Sequence, residues 1–192
     1  MGVIRNLLAV LGALALAALL YAAVTLGPKL ASFDPGFAGA YREFASKLLA
    51  TGDPGVAMMW SEPVQEGLSP EEVVESLKSL ATSRSLLFVG ESPFYKQVEA
   101  ITGEDYRYVN FLSFCDARVG KKMLEYRDQY SGFMPCRIAL VEDADGGLTL
   151  YSMNLDLMIH GGRPLPDGLQ QDAIRVRNTI REIMQGAAAG EF

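Results

Sequence analysis

Two cysteines and one histidine are the residues of this 192-residue sequence most suited to covalent, acid–base or metal chemistry. Cys115, Cys136 and His160 all lie within residues 106–160, the stretch that also carries the strongest strand patterns. A thiol can pair with a second thiol, attack as a thiolate or bind a soft metal, and an imidazole can transfer protons or bind metals. We therefore expect any chemistry of the chain to depend on this stretch.

The two cysteines allow three interpretations. Cys115 ends one predicted strand and Cys136 begins another, so a disulfide between them would close the intervening loop and stabilise the fold by about 3 kcal/mol. The bond requires the intervening chain to return along the sheet, because a simple parallel crossover would separate the Cα atoms beyond the limit of roughly 7 Å. The alternatives are two inert core thiols, or a reactive thiol or redox pair, for which Arg137 is the one sequence indication of an electropositive site.

A soft-metal site is a further alternative, because Cu(I) prefers thiolate and thioether sulfur. The residues that could supply its ligands are Cys115, Cys136, Met134, Met153, Met158 and His160. The sequence has no compact Met-x-x-Met or Cys-x-x-Cys pair, so we expect no cofactor and retain copper only as an alternative. Arg137, Asn154 and His160 are candidate binding residues in the same stretch.

Other common chemistries lack their sequence signatures. With one histidine, and with neither Gly-x-Ser-x-Gly nor a papain-like cysteine context, nucleophilic hydrolysis is not indicated. Haem attachment through Cys-x-x-Cys-His is absent, and the glycine pairs do not lead from strand to helix as phosphate loops do. The net charge of −6 and the lack of a basic stripe argue against nucleic acid as a partner. The sequence predicts no catalytic residue and favours a role other than that of an enzyme.

The N-terminal segment has the length and composition of a membrane span. From Leu7 to Leu26 there are about 20 apolar residues, which as a helix match a hydrocarbon core of about 30 Å. A cleaved secretory signal is the alternative, but its apolar region is shorter, about 7 to 15 residues. Arg5 precedes the span, so the positive-inside rule favours a cytoplasmic N-terminus. We expect a single-pass inner-membrane protein whose C-terminal domain faces the periplasm.

The rest of the chain is predicted to divide into a linker and one domain. Residues 1–29 form the anchor, which we expect to end at Gly27-Pro28 because proline disfavours helix just before it. Residues 30–54 form a juxtamembrane amphipathic helix and linker, and residues 55–192 form the folded domain with a C-terminal helix. Within the domain, strands are predicted at residues 56–60, 86–89, 108–115, 137–142 and 148–155.

Helices are expected between the first strands and at the end of the domain. Ser69-Pro70-Glu71-Glu72 is a capping box with proline at the first helical position, and it predicts a helix beginning there. Further helices are expected over residues 93–101, 116–126 and 169–183, and the glycines of residues 143–147 predict a hairpin. Because helices alternate with strands before the hairpin, the sequence predicts an α+β domain with a mixed sheet of about five strands.

Several short motifs resemble the bacterial family of domains of unknown function 302. They are Phe114-Cys115-Asp116, Met134-Pro135-Cys136-Arg137-Ile138, Val141-Glu142-Asp143 with its glycine turn, and Met153-Asn154. The likeness covers residues 56–160 and implies a small α+β domain that tends to self-associate and is often exported or attached to a membrane. It implies no established catalytic residues. Many relatives carry an Asn-Pro-like step where this chain has Cys115-Asp116-Ala117, so no ligand role passes to Cys115 from the family.

These observations lead to an expected function of a broad kind. We expect a membrane-anchored binding or assembly module, held in the bilayer through Leu7 to Leu26, that forms a homodimer or binds a membrane-protein partner. The contrasting expectation is a thiol–disulfide, sulfur-handling or copper-binding protein that uses Cys115 and Cys136. The two differ in the state of the sulfurs, which are buried or bonded in the first case and available for chemistry in the second.

Overall fold

The computed structural model describes residues 2–192, and its first element is a long apolar helix, α1 (Gly2–Ala31). No residue of α1 is buried against the domain, and within the described residues it is the one helix long and apolar enough to cross a membrane. The helix continues three residues past Pro28, beyond the expected break. It then closes with hydrogen bonds from Ser32 N to Lys29 O and from Phe33 N to Leu30 O. Pro28 has no N–H to donate to the carbonyl four residues earlier, so the helix lacks one backbone hydrogen bond at this point.

Five strands form one antiparallel sheet. They are β1 (Met59–Pro63), β2 (Leu87–Pro93), β3 (Val109–Cys115), β4 (Cys136–Glu142) and β5 (Leu148–Met153), in the spatial order β1-β5-β4-β3-β2. The α+β class and the five strands are confirmed. The expectation of a mixed sheet was wrong in strand direction, because every neighbouring pair is antiparallel. The connections through α5 and α6 each leave and re-enter at one end of the sheet, whereas α4 crosses from β1 to β2, which run in the same direction but lie at opposite edges and do not pair.

Seven further α-helices and a 3₁₀ helix accompany the sheet. They are α2 (Phe37–Thr51), α3 (Pro54–Ala57), α4 (Pro70–Ser83), α5 (Phe94–Thr102), α6 (Ala117–Tyr126), the 3₁₀ helix (Asp128–Phe133), α7 (Asp156–His160) and α8 (Leu169–Ala188). The capping box is present, with Ser69 Oγ accepting from Glu72 N and the Glu72 carboxylate accepting from Ser69 N. The first strand was expected from residue 56 but begins at Met59. The residues before it form the short α3, and the Asp53 side chain caps the N-terminus of that helix.

The core lies on one face of the sheet. Leu112 pairs with Ile138 across β3 and β4, and both are fully buried beneath α4, α6 and α8, together with Phe114, Leu140 and Leu150. Leu112 and Phe114 are two positions apart in β3, so their side chains lie on the same face of the sheet. Asn110 and Ser152 are polar exceptions on the sheet: the Asn110 amide donates to Glu91 Oε1 at 2.7 Å, and Ser152 Oγ donates to Arg137 O at 2.7 Å.

The opposite face of the sheet has no comparable helical layer, although Phe94 of α5 packs on one corner of it at Phe111. We call this surface the open face. Its residues, which are half-buried or exposed, are Met59, Phe111, Ser113, Arg137, Ala139, Val141, Tyr151 and Met153. Its one ionisable group besides the Tyr151 phenol is the Arg137 guanidinium, which lies 5.6 Å from the centre of the Phe111 ring. The open face is therefore poor in charge.

A buried aspartate joins α1 to the domain. Asp34 is only 7% exposed, and its Oδ1 accepts from Gly36 N at 2.7 Å and lies 2.8 Å from Nδ1 of His160. Its Oδ2 accepts from Gln170 Nε2, and its backbone N–H donates to Gly162 O. These contacts fix the segment that follows α1 against α7 and α8, and α2 packs beside it on α7.

Gly36 leaves the space that this joint needs. A Cβ at position 36 would lie 2.9 Å from both Cγ and Nδ1 of the His160 ring, closer than side chains tolerate. Gly36→Ala should therefore displace the ring or the linker at a cost of about 1–3 kcal/mol. We expect tryptic cleavage at Arg42 and Lys47 in α2 to become about tenfold faster, because cleavage follows the population of the detached state.

The matched control is Gly39→Ala in α2, where an added Cβ meets nothing within 4 Å. Limited proteolysis of the full chain in detergent compares the two. Equal resistance of Gly36→Ala and Gly39→Ala would show that the joint does not hold the linker.

Candidate functional site

The two cysteines lie at the same end of the sheet. Cys136 begins β4 directly opposite Phe114, the residue that precedes Cys115 at the end of β3. Because β3 and β4 are antiparallel, α6 and the 3₁₀ helix connect them at that end without crossing the sheet. The sequence suggested either a parallel crossover, which would separate the cysteines, or a segment that returns along the sheet to bring them together. Neither is present, because the strands are antiparallel and the two cysteines lie at one end without a returning segment. Both cysteines are free thiols in the structure, so the disulfide considered from the sequence is not formed in it.

Five sulfur-containing side chains line one small, partly open cavity beside this end of the sheet. Its volume is about 50 Å³, and its sulfur-bearing residues are Cys115, Met123, Met134, Cys136 and Met158. They come from β3, α6, the segment before β4, β4 and α7 respectively. We call this space the sulfur cavity. Most of its remaining wall is apolar or aromatic, including Phe114, Val119, Tyr130, Phe133, Leu155 and Val176.

Gly120 allows two of the sulfurs to approach α6 closely. It is buried on the inner side of that helix, and a Cβ there would lie 3.2 Å from Sδ of Met134 and 3.7 Å from Sγ of Cys115. The first distance is tighter than ordinary packing, so the absence of a side chain at Gly120 creates part of the cavity. A glycine inside a helix costs roughly 0.5–1 kcal/mol relative to alanine. At position 120 this cost accompanies the close approach of the Met134 and Cys115 sulfurs to α6, which a larger residue would prevent.

Both thiols are poor nucleophiles in this environment. Burial raises the pKa of the Cys136 thiol to about 11, and the nearby Cys115 thiol acts in the same direction. The pKa of Cys115 is also raised, first by burial and then by the charge of Asp116. Since the thiolate is the reactive form, raised pKa values oppose a role as a nucleophile or redox pair at neutral pH.

The polar atoms near the sulfur cavity are already engaged. Asp116 lines it, but its Oδ1 caps α6 by accepting from Arg118 N at 3.0 Å, and its Oδ2 accepts from Arg175 at 3.1 Å. These partners hold the pKa of Asp116 below its usual value against the opposing effect of burial. Within residues 2–192, no group of three or more His, Cys, Asp or Glu residues could hold a metal. Any metal in the cavity would need methionine sulfur.

The other residues singled out from the sequence lie elsewhere. Met153 is on the open face and His160 contacts Asp34, so neither belongs to the sulfur cavity, and the ligand set expected for copper was wrong in these two members. Arg137 is also on the open face and stacks on Phe111, so it does not provide an electropositive surrounding for Cys136. Asn154 accepts from Asp156 N and donates to Glu43 in α2, so it serves the packing of α2 and α7.

Two members of the site had not been identified from the sequence. Met123 lies on the buried face of α6 together with Val119, and that face borders the sulfur cavity. Gly120 stands between these residues. A glycine within an otherwise good amphipathic helix was the available signal, because such a glycine commonly marks a close approach.

Alkylation of the thiols tests their environment. In reduced, metal-free protein at pH 7.5, Cys136 should react with iodoacetamide about 100-fold more slowly than in the unfolded chain, because its thiolate fraction falls with the raised pKa. Cys115 should react faster than Cys136, and both rates should rise with pH. Mass spectrometry of timed samples gives the rates, with guanidinium-unfolded protein as the control. Equal rates for Cys136 in folded and unfolded protein would contradict the burial of its thiol.

Comparison with known proteins identifies the domain. The sequence model described as "Domain of unknown function DUF302" matches residues 60–187, from β1 into α8. A solved structure, described as the crystal structure of uncharacterized conserved protein DUF302 from Bacillus stearothermophilus, is similar with a TM-score of 0.54 at 13% sequence identity. The match covers 66% of this chain and 95% of that chain, and at this identity it shows the fold alone. No curated protein matches the sequence. The family match covers most of the chain, and the chain therefore belongs to the DUF302 family.

Proposed function

We propose that this chain is a single-span membrane protein whose DUF302 domain faces the periplasm and works as a binding module that pairs with a second copy of itself. The observation that carries the proposal is the open face, an uncovered and charge-poor sheet surface on an acidic protein. No reaction is assigned to the domain.

The anchor and the joint support placement at a membrane. α1 has no residue buried in the protein, so its apolar side chains need a lipid surrounding to be removed from water. Arg5 near its start supports a cytoplasmic N-terminus by the positive-inside rule, and with it the proposed periplasmic side for the domain. The buried Asp34 joint lies a few residues beyond the end of α1 and restricts how far the domain can move from the bilayer.

The shape of the open face suits a protein partner. Between the sheet and the residues that precede β4 there is a groove of about 490 Å³. Its lining combines apolar and aromatic groups such as Phe111, Tyr151 and Met153 with a single guanidinium from Arg137. Aromatic, methionine and arginine residues are enriched in protein interfaces, whereas acidic residues are depleted from their centres.

A second copy of the chain is the partner that fits these features best. Two copies of a protein with net charge −6 repel each other through most of their surfaces, but contact through the open face brings no carboxylates together there. A twofold pairing uses the same patch on both partners, as a largely uncharged surface permits. Anchoring by α1 confines the copies to one plane, which raises their effective concentration.

Handling of a soft metal is a second candidate function, and the five sulfurs of one cavity favour it. Thiol–disulfide exchange, the other part of that alternative, gains no support because the pKa values of both thiols are raised.

A charge placed on the open face tests self-association. Ala139→Glu puts a carboxylate on β4, and in a symmetric pair the change occurs twice. We expect dimerisation of the full chain in neutral detergent to weaken by at least about 100-fold, because desolvating an unpaired charge costs several kcal/mol. Sedimentation equilibrium over a range of protein-to-detergent ratios measures the association.

The control variant is Ala144→Glu, which places the same charge in the exposed β4–β5 turn and should leave association unchanged. Wild-type protein that stays monomeric throughout the range would refute pairing. Association of Ala139→Glu equal to that of the wild type would assign it to another surface, such as the alanine-rich α1.

A further inference from the structure

The geometry points to the sulfur cavity as a binding site for one Cu(I) ion, with Cys115 and Cys136 as thiolate ligands and Met134 as a thioether ligand. Met123 and Met158 complete a wall of sulfur around these three. This inference rests on the soft-metal candidate function and does not require pairing of two copies, although the two sites adjoin because Met134 and Cys136 also line the groove of the open face. It replaces the metal ligands suggested by sequence, since Met153 and His160 lie outside the cavity.

The donor set selects the class of metal. Thiolate and thioether sulfur favour Cu(I), whereas Mg²⁺, Ca²⁺ and Mn²⁺ require oxygen ligands. The cavity's one carboxylate, that of Asp116, is engaged with the N-terminus of α6 and with Arg175. A zinc site ordinarily has four ligands from cysteine, histidine and carboxylate, and the described residues offer no such cluster here.

The size of the cavity is suited to an ion. A single water needs roughly 10–15 Å³ of such volume, so about 50 Å³ accommodates one metal ion with little rearrangement of its neighbours. Sites for drug-sized molecules measure about 300–1,000 Å³, which makes an organic cofactor a poor fit. The missing Cβ at Gly120 contributes to this space at the point nearest the Met134 and Cys115 sulfurs.

The cavity also has a path of entry. Cys115, Gly120 and Met134 line a second, open groove on the outer side, together with Lys121 and Pro135. Two of the three proposed ligands therefore lie between solvent and the sulfur cavity. An ion could first bind Cys115 and Met134 from this groove and then reach Cys136.

The proton balance of binding is simple. Each cysteine gives up its thiol proton on binding, so coordination forms two Cu–S bonds and releases two protons to solvent. Copper remains Cu(I) throughout, and no electron is transferred. The apolar wall limits access of water and dioxygen to the bound ion.

Titration with Cu(I) under anaerobic, reducing conditions tests the proposal on the full chain in detergent. Competition with bicinchoninate should show one tightly bound Cu(I) per chain, and X-ray absorption at the copper edge should show sulfur neighbours only. Cys115→Ala and Cys136→Ala should each weaken binding by at least about 100-fold, and Met134→Leu by about tenfold, in line with the loss of a metal ligand or its support.

Two further variants separate ligand loss from unfolding. Gly120→Ala keeps every sulfur but fills the space beside two of them, so it should weaken binding while thermal unfolding of the metal-free protein stays cooperative. Met153→Leu removes a methionine from the open face and should bind copper as the wild type does. Absence of stoichiometric Cu(I), nitrogen or oxygen neighbours in the absorption spectrum, or equal weakening by Met153→Leu would each overturn the assignment.

Discussion

β3 and β4 pair in continuous antiparallel register, from Val109 opposite Val141 to Phe114 opposite Cys136. Because side chains alternate along a strand, this pairing sends Leu112 and Ile138 into the helical core and Phe111 and Ala139 to the other side. α4, α6 and α8 pack on the first side. The second side remains as the open face, which is why an otherwise well-packed domain retains a charge-poor surface suited to a partner.

The same pairing determines the surroundings of the cysteines. Antiparallel strands place the end of β3 and the start of β4 together, so Cys115 and Cys136 meet α6, the 3₁₀ helix and α7 at one edge. The site is closed enough to raise both thiol pKa values, which disfavours free thiolate chemistry. Metal coordination differs from such chemistry because the ion itself displaces the protons. Buried, unreactive thiols and a soft-metal site are therefore compatible.

Local features of the fold could be predicted from sequence, and features set by strand direction could not. The capping box at Ser69 and the hairpin turn at residues 143–147 depend on neighbouring residues, and both are present as expected. The direction of β4 depends on the path of α6 and the 3₁₀ helix, which local patterns do not specify. Without the direction of β4, the sequence could not predict whether the two cysteines lie close together. It also grouped Met153 and His160 with them as metal ligands, although neither residue lines the sulfur cavity. The short α7 was missed because five residues give too little periodicity to distinguish helix from loop.

The central claim is that a second copy covers the open face in the membrane. Hydroxyl-radical footprinting of the full chain in vesicles measures this directly, because the oxidation rate of a side chain follows its exposure. In one copy, Tyr151 and Met153 are 38% and 41% exposed, and Tyr41 on α2 is 45% exposed and serves as the internal reference. The oxidation rates of Tyr151 and Met153 should fall relative to that of Tyr41 as the protein-to-lipid ratio rises. Constant ratios among the oxidation rates of Tyr151, Met153 and Tyr41 across that range would contradict the claim.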